Sequence, residues 1–330
     1  MADDVIQMQV WRGNWGLPSS DPNCLAVLAY CKFSGVPVRI RKTGNTLRSP
    51  SGAFPILRHR AVTETKVSGI FSYLRKQRWG SDFELSNKQG ADVIAYSSML
   101  EEKLLPAILH LWWIDSKTFV DVTRPWYAKI VPFPLNFYVP GRMQKEAWMR
   151  VFLPNNGANI TTSEVEAKIY RDARECLNHL SYKLGDKEFF FGKMPTSLDA
   201  LVFGYLAPIL KAPLPNNQIQ NHLKGCDNLS NLCDKILRRY FPPTSESDSK
   251  RKQEDDKKMA QNADFPNRQR NMILAAMFAL TTMVGYAFLS GLIQIDFCEE
   301  KAISSPSECK APDFELLDPL FEDQQEEEES

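Results

Sequence analysis

The run Ser19-Ser20-Asp21-Pro22-Asn23-Cys24 sets a cysteine at the front of an apolar segment that reaches Phe33. A thiol in the first turn of a helix has its pKa lowered by the free amides there, so Cys24 is the candidate nucleophile. The residues before it have a complete explanation in folding. Asp21 is a good N-cap, and Pro22 at the first helical position has no amide to leave unpaired. Cys24 and Cys31 lie one heptad apart on the same apolar stretch and read as small packed hydrophobes. The remaining chemistry-bearing residues are scattered. His59, His110, His179 and His222 are far apart, the seven cysteines form no C-x-x-C, and no Gly-rich phosphate loop occurs. These patterns call for no metal, no cofactor and no catalytic residue, and for a reducing compartment.

The elements that must position Cys24 alternate. Gln7–Trp11 is a strand, Cys24–Phe33 a helix, and 38–41 a strand with Val38 and Ile40 inward and Arg39 and Arg41 outward. A strand pair near Pro55–Leu57 and Ala61–Thr65 follows, then a helix over 67–78. This β-α-β, β-β-α order over residues 1–80 is thioredoxin-like, and Pro55, just before the third strand, is the candidate cis-proline. From residue 85 to 242 the pattern is helical. Pro106 should kink a long apolar helix, a Pro-rich break covers 131–141, and Thr162–Leu184 is an amphipathic helix ended by Gly185. Thr196 and Asp199 form a capping box ahead of another apolar helix. The fold class is therefore α/β plus all-α.

Composition then changes. Residues 243–267 are charged and almost without apolar side chains, as in a disordered tether. Met272 to Ile293 is a run of 22 residues without a charge, about 33 Å as a helix and enough for a hydrocarbon core of about 30 Å. Arg268 and Arg270 just before it predict that the preceding domain stays in the cytosol. An acidic, disordered tail over 296–330 follows. The net charge is zero, yet residues 1–80 hold twelve Lys/Arg against four Asp/Glu. Arg39, Arg41, Lys42, Arg48, Arg58 and Arg60 make up a basic face suited to solvent, an anionic membrane or an acidic partner. A near-neutral pI without a recognition motif argues against nucleic acid.

A thioredoxin-like part followed by a helical one resembles the glutathione transferases. Where cysteine-type members of that superfamily place Cys-Pro, this chain has Asp21-Pro22. Where they place a Glu-Ser pair for the γ-glutamyl end of glutathione, it has Lys66-Val67, with Glu64-Thr65 out of register. The resemblance thus implies the fold without the chemistry.

Longer runs, among them "VWRGNWGLPSSDPNCLAVLAYCKFSGVPV", "KQGADVIAYSSMLEEKLLPAILHLWWID" and "EFFFGKMPTSLDALVFGYLA", closely resemble the metaxins over about residues 7–242. That resemblance implies a single-pass protein of the mitochondrial outer membrane, with its folded domain in the cytosol and a short tail in the intermembrane space. It implies a non-enzymatic role in protein import and β-barrel sorting and assembly, beside a metaxin-2-like partner and the barrel-insertion complex, with no small-molecule substrate. Two other expectations stay open: an anchored glutathione-dependent enzyme using Cys24, and an adaptor between mitochondria and cytosolic machinery.

Overall fold

In the computed structural model, residues 5–46, 49, 52–155, 161–242 and 268–290 are described. The chain divides into two compact units, Met1–Pro266 and Asn267–Ser330.

The first unit opens with β1 (Ile6–Val10), α1 (Pro22–Phe33), β2 (Val38–Lys42), β3 (Ile56–His59), β4 (Val62–Glu64) and α2 (Val67–Lys76). The sheet runs β2-β1-β3-β4, with β1 and β2 parallel and the other pairs antiparallel. Apolar Met8, Val10, Ile56 and Leu57 are buried, while α1 is buried on every side from Cys24 to Cys31. An all-round apolar helix is stable only when elements cover it on all sides. Here α2 and α9 (Ser197–Lys211) pack against it. Gly204 in α9 permits the approach: a Cβ there would meet the Pro22 carbonyl oxygen at 2.6 Å. The Phe54–Pro55 peptide is cis, as is Phe133–Pro134.

The helical part runs through α3 (Asn87–Met99), α4 (Leu105–Leu109), α5 (Ser116–Thr118), α6 (Arg124–Ile130), α7 (Leu135–Phe152), α8 (Thr162–Leu184), α9, α10 (Gln218–Lys224) and α11 (Asp227–Tyr240). Between α3 and α4, Leu100–Leu104 widens into a π-helical turn, and His110–Ile114 does so after α4. The Leu105 amide reaches back five residues to the Leu100 carbonyl, one step ahead of Pro106, which has no amide to give. Wide turns on both sides thus accompany the proline where a single kink was expected. The break expected over 131–141 is shorter than that, because α7 starts at Leu135 and carries Pro140 within it. Only one backbone donor is lost there, two turns or fewer from the helix start.

Two expectations for β2 are corrected. Ile40 is 42% exposed rather than inward, since β2 is the edge strand of the sheet. Lys42 does not share a face with Arg39 and Arg41, because side chains alternate along a strand. Arg39 stands beside Gln7, which stands beside Arg58, so these arginines line one face. Arg60 lies in the β3–β4 turn with φ 53°, and Arg48 falls outside the described residues.

In the second unit, α12 (Arg268–Leu289) has 22 residues. It begins four residues ahead of the expected span at Met272 and takes in Arg268 and Arg270; Ile293 lies outside the described residues, as do 243–267 and 296–330. Among the described residues, no helix is long and apolar enough to cross a membrane. Ile273, Phe278, Leu280 and Met283 of α12 are exposed.

Candidate functional site

The head of α1 is built by its cap. Asp21 is extended (φ −87°, ψ 130°), and its Oδ2 accepts the Cys24 amide at 2.8 Å. Pro22 occupies the first helical turn, and the Asp21 amide donates to Ser19 Oγ at 3.4 Å. Desolvation pushes the Asp21 carboxyl up to about 6, against the pull of the Cys24 and Asn23 hydrogen bonds. Cys24 is fully buried, and burial drives its thiol well above the ordinary value, with the Asp21 charge adding to the rise. The lowering expected from a first-turn position is therefore overridden. The cap has already taken the amide, and a buried thiolate beside a carboxylate is disfavoured. Cys31, one heptad on, is pushed up to about 12 by burial alone.

Asp21 lines a cleft of about 230 Å³ where α1 meets α4, α6 and α7. Its walls are aromatic. Trp15 stacks on Trp112 with centroids 5.4 Å apart, and Trp126 lies 6.3 Å from Trp15 and edge-on to Tyr127 at 4.6 Å. Trp113 stands 4.9 Å from the same tyrosine. Trp15 reaches the helical part from a tight turn, in which the Leu17 amide donates to the Asn14 carbonyl at 2.8 Å. Both central residues, Trp15 (φ 50°) and Gly16 (φ 79°), are left-handed, and Asn14 Oδ1 accepts the Trp15 amide at 2.9 Å. A left-handed tryptophan is strained, and the ring stack together with this hydrogen bond holds it. The sequence reading missed this cleft. Its signal was the crowding of indoles in "HLWWID" and "RPWYAK" alongside Trp15.

The other expected positions lie elsewhere. Lys66 caps α2 by backbone geometry only, with no side-chain hydrogen bond. Glu64 leans over that turn, and its Oε2 would meet a Cβ on Gly69 at 2.7 Å. Asp199 is buried and accepts from Thr196 N at 2.8 Å, Thr196 Oγ1 at 2.7 Å and Phe190 N at 3.0 Å. Desolvation nevertheless pushes it up to about 6. His59 Nδ1 pairs with Tyr73 Oη at 2.7 Å, and His222 Nε2 with Asn178 Oδ1 at 2.9 Å. His110 is buried against Tyr170, and burial lowers its pKa although Glu166 and Asp115 pull the other way. The described residues contain no cluster of His, Cys, Asp and Glu able to hold a metal ion.

The order of a thioredoxin-like sheet and a helical bundle, joined along α1 and α9, defines a glutathione-transferase-like protein. In agreement, residues 173–236 match the family model "Glutathione S-transferase, C-terminal domain". The glutathione S-transferase of Ceriporiopsis subvermispora, solved with glutathione, covers 73% of this chain and 100% of its own at 16% identity and a TM-score of 0.49, too low to bear on function. Within that class the chain belongs to the metaxin family. Metaxin-1 of Macaca fascicularis is 45% identical over 300 residues, 88% of this chain and 92% of its own. Metaxin-3 of Xenopus laevis is 43% identical over 271 residues, 82% and 88% of the two chains. The metaxin-1 homolog of Caenorhabditis briggsae is 35% identical over 322 residues, 90% of this chain and all of its own. Residues 24–144 match the model "Outer mitochondrial membrane transport complex protein".

Proposed function

We propose that this chain is a non-enzymatic subunit of a protein-transport complex in the mitochondrial outer membrane, serving import and the sorting and assembly of β-barrel proteins. Its membership of the metaxin family carries the reading. The head of α1 agrees with it, because Asp21-Pro22 makes a cap and the Cys24 thiol is buried and held protonated.

The mechanism in this reading is docking. Phe137 is 73% exposed and Leu153 61% at the two ends of α7, with Tyr138 and Trp148 also exposed between them. Apolar groups gathered along one element suit a protein partner better than solvent. A metaxin-2-like subunit and the barrel-insertion complex are the partners assigned. The anchor is assigned to the 22 uncharged residues from Met272 to Ile293, with Arg268 and Arg270 keeping the folded unit in the cytosol and the tail in the intermembrane space. A tether between anchor and domain then keeps the docking surface at high effective concentration near membrane-bound partners.

Expression of the full chain beside residues 1–266 tests both parts, with carbonate extraction of mitochondria and a census of co-purifying proteins. Membrane integration of the full chain only, with outer-membrane transport subunits recovered, is the expected result. A full chain released by carbonate overturns the anchor. Recovery without any transport subunit overturns the role.

A further inference from the structure

The aromatic cleft at the head of α1 is not used by the docking reading, and its chemistry is one-sided. The side chains around it include four indoles and the Tyr127 ring, and the ionisable groups among its described residues are acids. Asp21 is partly exposed, into the space it lines, and Glu146 is exposed at the edge, where Arg142 Nε lies 3.4 Å from its Oε1. Among the described residues, no lysine, arginine or histidine lines it. An anion entering here would face the Asp21 carboxylate, while the nearest guanidinium, Arg142, is already engaged by Glu146. A neutral apolar guest would cover a desolvated carboxyl and give it nothing. A compact cation satisfies both walls, since ring faces carry negative quadrupole potential and a carboxylate completes the charge balance.

We propose that this cleft binds a small organic cation of the alkylammonium class, held against the wall formed by the Trp15, Trp112 and Trp126 rings and by the Asp21 carboxylate. The volume, about 230 Å³, lies below the range of about 300–1,000 Å³ that drug-sized ligands fill, so the guest is small. The partial positive charge at the start of α1 does not oppose it, because Asp21 has already taken up the Cys24 amide there. Binding is linked to protons. A cation beside Asp21 favours its ionised form, so occupancy weakens as the pH falls below about 6. The groups facing Asp21 do not titrate in that range: Cys24, Tyr127 and Tyr205 are all pushed up by burial. Glu146, paired with Arg142, is the other charge on the lining.

The test uses the full chain in a nonionic detergent, with choline as probe and 3,3-dimethylbutan-1-ol as its neutral isostere. Indole fluorescence and calorimetry are the readouts. Saturable binding of choline is expected at pH 7.5, at least about tenfold tighter than the isostere, with the preference shrinking toward pH 5. Asp21→Asn keeps the helix cap and brings the two probes to within about twofold of each other. Trp126→Leu weakens choline in the same way from the ring side. Equal binding of both probes overturns the proposal, as does an absence of saturable binding up to about 10 mM. Displacement of choline by glutathione at equal concentration also overturns it. All these outcomes are independent of the carbonate and co-purification results, so the cleft and the docking role stand or fall separately.

Discussion

Gly204 of α9 and Pro22 of α1 meet backbone to backbone. A Cβ on Gly204 would stand 2.6 Å from the Pro22 carbonyl oxygen and 2.8 Å from both the Ala26 amide nitrogen and Cβ. None of those atoms is the end of a flexible side chain, so an added methyl has to push one helix off the other. Gly204→Ala is expected to destabilise the folded unit by about 1–3 kcal/mol, read as a lower denaturant midpoint. Gly90→Ala is the opposing control. Gly90 lies in α3 with nothing within 4 Å of its Cβ position, so the methyl stabilises by about 0.5–1 kcal/mol through lost unfolded-chain entropy.

The cap at Asp21 predicts an unusual pH profile. Its carboxyl sits at about 6 in the folded chain against 3.8 ordinarily, so the native state binds more protons than the unfolded one between those values. The stability from this group is therefore fully present below about 3.8 and is lost as the pH rises through about 6. Asp199, also at about 6, contributes in the same window. Urea titrations from pH 4 to 7 should show the wild type losing stability on this account, with Asp21→Asn losing less, by on the order of 2 kcal/mol across the range. Identical slopes for the two proteins would remove the desolvated carboxylate from the account.

Cysteine reactivity should follow burial and not helix position. Cys24, Cys31, Cys176 and Cys233 are buried, and Cys226 is half-buried with a smaller rise in its pKa. Alkylation of the native chain at pH 8, mapped by peptide mass spectrometry, is expected to reach Cys226 first among these five. Cys24 should react only on unfolding. Fast labelling of Cys24 in the native chain would revive a thiol enzyme.

Much of this architecture is legible in the residues because local signals agree there. Asp21-Pro22 marks the start of α1, alternation marks β1, and apolar spacing from Thr162 to Leu184 gives α8 with its ends in place. What stayed hidden depends on tertiary placement. Ile40 reads as inward by alternation, but only the sheet order reveals β2 as an uncovered edge. Pro140 reads as part of a break, yet α7 carries it. The aromatic cleft joins Trp15 to Trp112 and Trp126, about a hundred residues on, and no local pattern encodes that meeting. The apolar run after Met272 is plain in the sequence, whereas its helix begins in charged residues at Arg268.

Two capping boxes of the same kind give the last prediction, because they differ in burial. Thr161 caps α8 at the surface, where its Oγ1 accepts the Glu164 amide at 3.4 Å. Water can replace that partner, so Thr161→Ala should cost about 1 kcal/mol, the usual loss for an N-cap. Asp199 is buried and serves the amides of both Thr196 and Phe190, together with the Thr196 hydroxyl. In Asp199→Ala those donors stay buried without an acceptor, at about 1–3 kcal/mol for each amide. The loss at Asp199 should thus be several times that at Thr161 in chemical denaturation. Asp199→Asn, which retains one acceptor oxygen, should recover part of it. Equal losses at the two sites would mean that water reaches the Phe190 and Thr196 amides when the carboxylate is removed.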